Sequence, residues 1–186
     1  MRVAVVFPNP AEGGKKFGND GASFTIRAPG SLTSLTLNSS NGAISSEGFK
    51  GTLAAKTSNG AVTISNHDGP VTVDTSNGRV KALNVTGPLS LESSNGAMEV
   101  ELCDGSTQNV KVDSSNGKVE LTLPASWNGA MSAKTSNGKV SVEADEGRAT
   151  NVATSKGTGT ATIGAGTATA NLHTSNGAIR VKVKGG

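Results

Sequence analysis

Large aromatic side chains, histidine and cysteine are scarce in this chain. Aromatic residues make up 3% of its 186 residues, and tyrosine does not occur. The hydrophobic fraction is 34%, against the ~45–50% that is usual for globular domains. This composition excludes a broad core of large side chains. It fits a narrow core built from Val, Leu, Ile, Ala and Thr.

The same scarcity argues against several kinds of site. The single cysteine, Cys103, excludes an internal disulfide. The two histidines, His67 and His173, lie far apart in the sequence, and we expect both to face solvent. No metal-ligand spacing, nucleophile–base set or phosphate-binding glycine loop occurs. The sequence therefore predicts no catalytic residues, no metal and no cofactor.

Charge and hydropathy limit the partners. The net charge is only +3, and no aromatic residues alternate with the basic ones, so nucleic-acid binding is not expected. The apolar run near Val3 has about five residues, fewer than the roughly 7–15 of a signal peptide or the ~20 of a membrane helix. We therefore expect no membrane insertion. The compartment stays open: the cell surface if another segment directs export, and the cytoplasm otherwise.

One tetrapeptide, Thr/Ser-Ser-Asn-Gly, recurs through the chain at steps of 18 to 21 residues. A fixed period of this size indicates a repeat architecture. An eighth copy is altered to Thr154-Ser155-Lys156-Gly157, where Lys156 should interrupt the stack and loosen its coil. The asparagines of the seven complete copies are Asn41, Asn59, Asn77, Asn95, Asn116, Asn137 and Asn176.

Apolar and polar residues alternate on both sides of each tetrapeptide, which predicts two short strands per repeat. Equivalent strands can stack in parallel as the coils of a β-solenoid, or consecutive strands can pair as antiparallel hairpins, for which Asn-Gly is a strong signal. Hairpins would place Glu92 opposite Glu99 and Asp113 opposite Glu120, which is unfavourable. We favour an all-β, single-domain β-solenoid of about eight coils of 18–21 residues.

In such a solenoid the tetrapeptides form internal columns. The Thr or Ser two positions before each asparagine should point inward, and the stacked Asn amides should donate to carbonyls of the next coil. Glycine should supply a positive φ at the corner. Residues 1–30 lack the repeat but hold Phe7, Phe17 and Phe24. We therefore predict an N-terminal cap at 1–30 and the repeat domain at 31–186.

Over residues 31–184 the repeated Thr-Ser-Asn-Gly, followed by alternating Val and Ile, resembles an adhesin-like family of bacterial and fungal domains of unknown function. The resemblance implies a β-solenoid, a structural role for the Asn-Gly corners and a surface or scaffold role. It implies no catalytic residues. The expected function is non-catalytic: a flat polar surface for contact with a protein or a glycan.

Two regions are candidates for contact. Consecutive long corners, residues 103–109 and 124–129, should lie side by side. There Trp127 either covers the core edge or forms a small ligand platform with Asp104, Gln108 and Asn128. The second region is a basic stripe, which we expect to be a solvated face and, less favourably, an anion or polysaccharide site. It comprises Arg79, Lys81, Lys118, Lys139, Arg180 and Lys182, next to Glu99 and Glu120.

Two other functions remain open. The alternating stretch from Ile179 to Lys184 shows no cap, and an uncovered strand edge is a template for pairing. The chain could therefore form homo-oligomers through this C-terminal coil and polymerise end to end, resembling bactofilin scaffolds. A carbohydrate-active β-helix enzyme would need clustered outward acids, and none is evident.

Overall fold

The computed structural model describes residues 31–145 and 147–185, and this part of the chain consists of strands and turns. The predicted cap at 1–30 lies outside the described residues. The strands are β1 Ser34–Ser39, β2 Ile44–Glu47, β3 Thr52–Thr57, β4 Val62–His67, β5 Val71–Thr75, β6 Val80–Val85, β7 Leu89–Ser93, β8 Met98–Leu102, β9 Val110–Ser114, β10 Val119–Leu123, β11 Gly129–Thr135, β12 Val140–Ala144, β13 Ala149–Ser155, β14 Thr158–Ile163, β15 Ala168–Thr174 and β16 Ile179–Val183.

The strands form two sheets that face each other, and the predicted β-solenoid is confirmed. A nine-stranded sheet A has the order β1-β3-β5-β7-β9-β15-β11-β14-β13, and a seven-stranded sheet B has the order β12-β16-β10-β8-β6-β4-β2. Neighbouring strands from different coils pair in parallel at equivalent repeat positions, as Leu53 with Val71 and Val71 with Leu89. The hairpin meander is thereby excluded for the coils.

The core is a narrow layer between the two sheets. Along most strands buried and exposed residues alternate, as β5 illustrates with Val71, Val73 and Thr75 inward. Alternation puts every second side chain on the inner face of a pleated strand, so small β-branched and aliphatic residues suffice to fill the space. This is how a chain so poor in aromatic residues builds a continuous core.

The altered eighth copy does not form a coil. Strands β13 and β14 pair antiparallel around Lys156 and Gly157, where Gly157 has a φ of 83°. The hairpin lies against β11, whose Gly129 pairs with Ile163. The structure thus has seven coils and one hairpin instead of eight coils. The prediction that Lys156 interrupts the stack is correct, but it does so by turning the chain back instead of loosening a coil.

The order of coils in the stack differs from their order in the chain. The coil made of β15 and β16, here called the inserted coil, lies between the β9/β10 coil and the β11/β12 coil. In sheet A, Leu172 pairs with Val112 on one side and with Ala133 on the other. In sheet B, Ile179 pairs with both Val119 and Val140. The expected uncapped C-terminal coil is therefore wrong: both of its edges are paired.

Candidate functional site

The Thr or Ser two positions before the Asn is buried at the narrow end of the core in six of the seven complete copies, as predicted, whereas Ser39 of the first copy is half-buried. Its hydroxyl connects two backbone groups of the corner. Thr75 Oγ1 accepts a hydrogen bond of 3.2 Å from Gly78 N, and Thr174 Oγ1 donates one of 3.0 Å to Gly117 O of the coil below. A hydroxyl can both donate and accept, so this residue satisfies polar groups inside the core. This explains why Thr or Ser stands at this position in each complete copy.

The seven asparagines form a continuous ladder along the exposed corner edge. Six of the seven amide nitrogens donate to the side-chain oxygen of a neighbouring Asn, as in Asn95 Nδ2 to Asn77 Oδ1 at 2.8 Å. The acceptor is thus a side-chain amide. The ladder follows the stack order, because Asn176 donates to Asn116 at 2.7 Å and accepts from Asn137 at 2.8 Å.

Corner glycines are needed for a reason other than the one predicted. They do not have the positive φ expected of them, which occurs at other glycines such as Gly48 and Gly69. Instead, the backbones of adjacent coils approach closely at the corner. A Cβ added to Gly78 would lie 1.9 Å from Gly60 O, and one added to Gly96 would lie 1.8 Å from Gly78 O.

The two long corners lie side by side, as predicted, but Trp127 is not on their surface. Gly105 N donates to Ser126 Oγ at 2.8 Å, which joins the corners. The Trp127 side chain is 0% exposed, and its indole Nε1 donates to Gln108 O at 2.9 Å. The ligand platform is therefore wrong with respect to Trp127, because an indole without exposed area cannot stack on a sugar. Its covering of the core edge is the observed arrangement.

The other three members of the predicted platform lie around this buried indole. Asp104 and Gln108 are exposed, and Asn128 is half-buried. The Asn128 amide donates to Ser126 O at 2.8 Å, while Arg148 Nη2 donates to Ala125 O beneath the corner. These contacts hold the corner in shape. Only Asp104 and Gln108 keep side chains free to meet a partner.

His67 differs from its prediction, since it is 1% exposed instead of facing solvent. Its ring packs 5.7 Å from that of Phe49, and no described residue hydrogen-bonds either ring nitrogen. Burial lowers the pKa of His67, whereas the nearby backbone of Gly51 and Pro70 and the Asp68 carboxylate act in the opposite direction. A neutral buried imidazole is the result.

A local bulge explains why alternation failed at His67. Asn66 has a φ of 53°, and its equivalent in the next coil, Asn84, has a φ of 54°. Each inserts one extra residue, so the phase of burial shifts and His67 comes to pair with Val85. The two asparagines also form a short second ladder, with Asn84 Nδ2 donating to Asn66 Oδ1 at 3.1 Å. Asn66 and Asn84 occupy the same position in consecutive repeats, and this recurrence was a signal from which the bulge could have been identified.

The outer face of sheet A is flat and polar. Its first four coils carry a column of small residues, Thr36, Ala54, Thr72 and Ser90, in register. The adjacent column is charged, and its carboxylates have basic partners. The pairs are Lys56–Asp74 at 2.7 Å, Lys111–Glu92 at 2.9 Å and His173–Asp113 at 3.0 Å.

His173 points outward, as predicted, and its side chain is 42% exposed. A shallow open groove of about 250 Å³ runs along this charged column, between the carboxylates of Asp74, Glu92 and Asp113. Its volume is below the roughly 300–1,000 Å³ of small-molecule sites. The groove therefore suits contact with an extended surface more than capture of a small ligand.

Acidic neighbours interrupt the basic stripe on sheet B. Lys118 contacts Glu120 at 2.6 Å, and Lys81 contacts Glu99 at 3.2 Å. Arg180 lies 3.9 Å from Glu120. These surface pairs contribute little stability but reduce the local positive potential. The pattern agrees with the expected solvated face.

The described ranges contain neither a metal-binding cluster nor a membrane-spanning helix. Residues 31–145 and 147–185 contain no group of three or more His, Cys, Asp or Glu side chains arranged to hold a metal ion. The same residues include no helix that could cross a membrane.

A family model described as Toastrack DUF4097 matches residues 31–182, which include every described strand but the last residue of β16. No curated protein and no solved structure matches the chain. The match agrees with the repeat architecture. The family is a domain of unknown function, so the match indicates no activity. The adhesin-like role remains a prediction.

Proposed function

The chain belongs to the Toastrack DUF4097 family, and from this premise we propose that it is a non-catalytic binding domain. It presents the outer face of sheet A to a protein or a glycan. The solenoid is the rigid support, and the outward columns are the contact surface. An adhesion-like role is the form of this function that fits the flat surface best.

The observation that carries this proposal is the column of small residues Thr36, Ala54, Thr72 and Ser90. Strands in a sheet lie about 4.8 Å apart, so four registered rungs present a level strip about 14 Å long. Side chains this small let the backbone of a partner or the ring of a sugar approach closely. The neighbouring charged column adds paired ions that can guide orientation. Sheet B lacks a comparable strip, because Lys81, Glu99, Glu120 and Arg180 stand out from it.

The test is to block the strip without disturbing the core. Thr72→Arg adds a long cation to an exposed position of β5, whereas Thr63→Arg adds the same group to the outer face of sheet B. Both variants and the unchanged chain would be applied to a glycan array and used as bait for a displayed peptide library. We expect to find ligands that bind the unchanged chain and the Thr63→Arg variant but do not bind the Thr72→Arg variant. If every ligand bound the Thr72→Arg variant as well as the unchanged chain, or if no ligand were found, sheet A would be rejected as the contact surface.

The end-to-end scaffold receives less support than it did from sequence. It depended on a free C-terminal coil, and the inserted coil has both edges paired. The enzyme alternative also lacks a specific observation in its favour. Neither is proposed here as the function of the domain.

A further inference from the structure

The inserted coil fills a slot whose walls are consecutive in the chain. The β9/β10 coil forms one wall and the β11/β12 coil the other, and residues 124–128 connect them. This connection is one of the two long corners. It has to pass the inserted coil, because Leu123 and Gly129 belong to coils that are two rungs apart. The slot is therefore complete without residues beyond β12.

The inserted coil is paired on both sides in both sheets. Each of its strands has a parallel neighbour on both edges. Its Asn176 lies in the middle of the ladder, bonded to Asn116 and Asn137. Its inward side chains, all at most 7% exposed, are Ala168, Ala170, Leu172, Thr174, Ile179, Val181 and Val183. An empty slot would expose four strand edges, those of β9, β10, β11 and β12, and the apolar residues that these side chains cover.

One short segment, the hinge of residues 164–167, joins the inserted coil to the hairpin. All four residues are exposed, and Gly164 has a φ of 59°. Ile163 and Ala168, on either side of the hinge, pair with opposite edges of Gly129. The chain thus leaves one edge of β11 and returns to the other. The hinge contributes no side chain to the core, so it can change its path without uncovering apolar residues.

We propose that the inserted coil exchanges between two copies of this chain. In the resulting dimer each slot holds the inserted coil of the other copy. Every ladder, core and amide contact of the slot is kept, and only the hinge changes its path. Exchange of an identical element is a low-cost route to a symmetric dimer. This proposal is independent of the proposed contact surface, since the slot residues face inward.

Concentration decides which state forms. Within one chain a short tether gives the inserted coil an effective concentration of about millimolar, so the closed monomer dominates in dilute solution. During refolding the slot can form before the inserted coil occupies it, and a second copy then competes for it. The exchanged dimer should therefore accumulate when concentrated chains refold together.

The test uses disulfides that can form only between copies. One protein carries Ser132→Cys, and a second, differently tagged protein carries Asn171→Cys, both in a Cys103→Ser background. Ser132 and Asn171 are exposed register partners on β11 and β15. Adjacent strands place their Cα atoms about 4.8 Å apart, which a disulfide can span. After joint refolding and mild oxidation, we expect a mixed disulfide dimer whose yield rises about tenfold for a tenfold rise in concentration while it is the minor species.

The matched control replaces Ser132→Cys by Thr36→Cys, an equally exposed residue of sheet A on β1, far from the slot. The control mixture should give only the low background of random collisions. Equal yields from both mixtures, or no mixed dimer at any concentration, would overturn the proposal. A single chain carrying Ser132→Cys and Asn171→Cys checks folding. It should close its own disulfide in dilute solution, and failure to do so would also count against the inserted arrangement.

Discussion

At the scale of the residue, the tetrapeptide acts mainly between coils. The Thr or Ser hydroxyl satisfies buried backbone groups, the Asn amide continues a ladder, and Gly allows two backbones to meet. The ladder requires the same side chain in the coil below, whereas the hydroxyl and the glycine meet backbone atoms. Nearest-neighbour dependence of this kind makes solenoid stability a sum of coil and interface terms.

The first prediction concerns the corner glycines. Gly78→Ala should lower the free energy of unfolding by about 3 kcal/mol or more, because the methyl group collides with the Gly60 carbonyl. Gly42→Ala is the matched control, since in the first coil an added Cβ meets, among the described residues, only Ser39 Oγ, at 2.9 Å. That substitution should cost less than about 1 kcal/mol. Urea denaturation followed by circular dichroism measures both, and equal losses would mean that contact between coils does not select glycine.

The second prediction concerns the ladder. Asn95 both donates to and accepts from a neighbouring amide, whereas within the described residues Asn41 has one such bond, as acceptor. At about 0.5–1.5 kcal/mol per hydrogen bond, Asn95→Ala should lose about twice as much stability as Asn41→Ala. Asn38→Ala, on the exposed face of β1, should change stability by less than about 0.5 kcal/mol. If all three variants melt together, the asparagines serve only their own turns.

The third prediction concerns pH. Burial lowers the pKa of His67 below the ordinary histidine value of 6.5, so the unfolded chain binds the proton more tightly than the folded one. Folding stability should therefore fall as pH drops below about 6.5 and should level off below the folded-state pKa. His67→Val places in this coil the residue that the next coil has at Val85. Melting curves between about pH 5 and 7.5 should show a smaller acid loss in this variant. An unchanged pH profile would assign the acid loss to other groups.

At the scale of the element, the hairpin forms the end of the stack. Strand β13 has one pairing partner, β14, and six of its seven residues are exposed, including Val152 at 47%. Its register shifts between Thr150 and Ala153, and Asn151 has a φ of 51°. A bulged edge strand is a poor template for further pairing. The bulge thus shields this edge of sheet A, whereas β12 is the edge strand of sheet B at the same end.

The fourth prediction treats Trp127 as part of the long corner's packing. Trp127→Ala should cost about 3–5 kcal/mol, because the fully buried indole leaves a cavity. Trp127→Phe should cost less, since it keeps much of the volume but loses the bond to Gln108 O. Gln108→Ala is the control, because the acceptor is a backbone carbonyl that the substitution retains. Denaturation followed by circular dichroism compares the three variants. If Trp127→Ala left the free energy of unfolding unchanged, the indole would not be part of the core packing.

At the scale of the whole molecule, periodicity predicted the coils but could not predict their order. Each tetrapeptide offers the same donors and acceptors, so Asn116 can continue the ladder with Asn137 or with Asn176. Pairing rules alone do not separate these choices. The hairpin was also hidden, because one altered residue, Lys156, distinguishes its turn from a corner. The orientation of Trp127 was ambiguous, because a corner sequence allows the indole to point inward or outward. The burial of His67 was missed, because the alternation of polar and apolar residues does not show a bulge at Asn66.

The inserted coil makes distant parts of the chain one cooperative unit, and the last prediction tests this. Leu172→Ala removes a buried side chain between β9 and β11. Hydrogen exchange should then accelerate in both β9 and β11, which precede it by about 40 residues or more in the sequence, because their hydrogen bonds to β15 break when the inserted coil opens. Leu53→Ala removes an equally buried leucine from β3, and its effect should stay within the first coils. If Leu172→Ala accelerated exchange only in β15 and β16, the inserted coil would not couple the two walls of its slot.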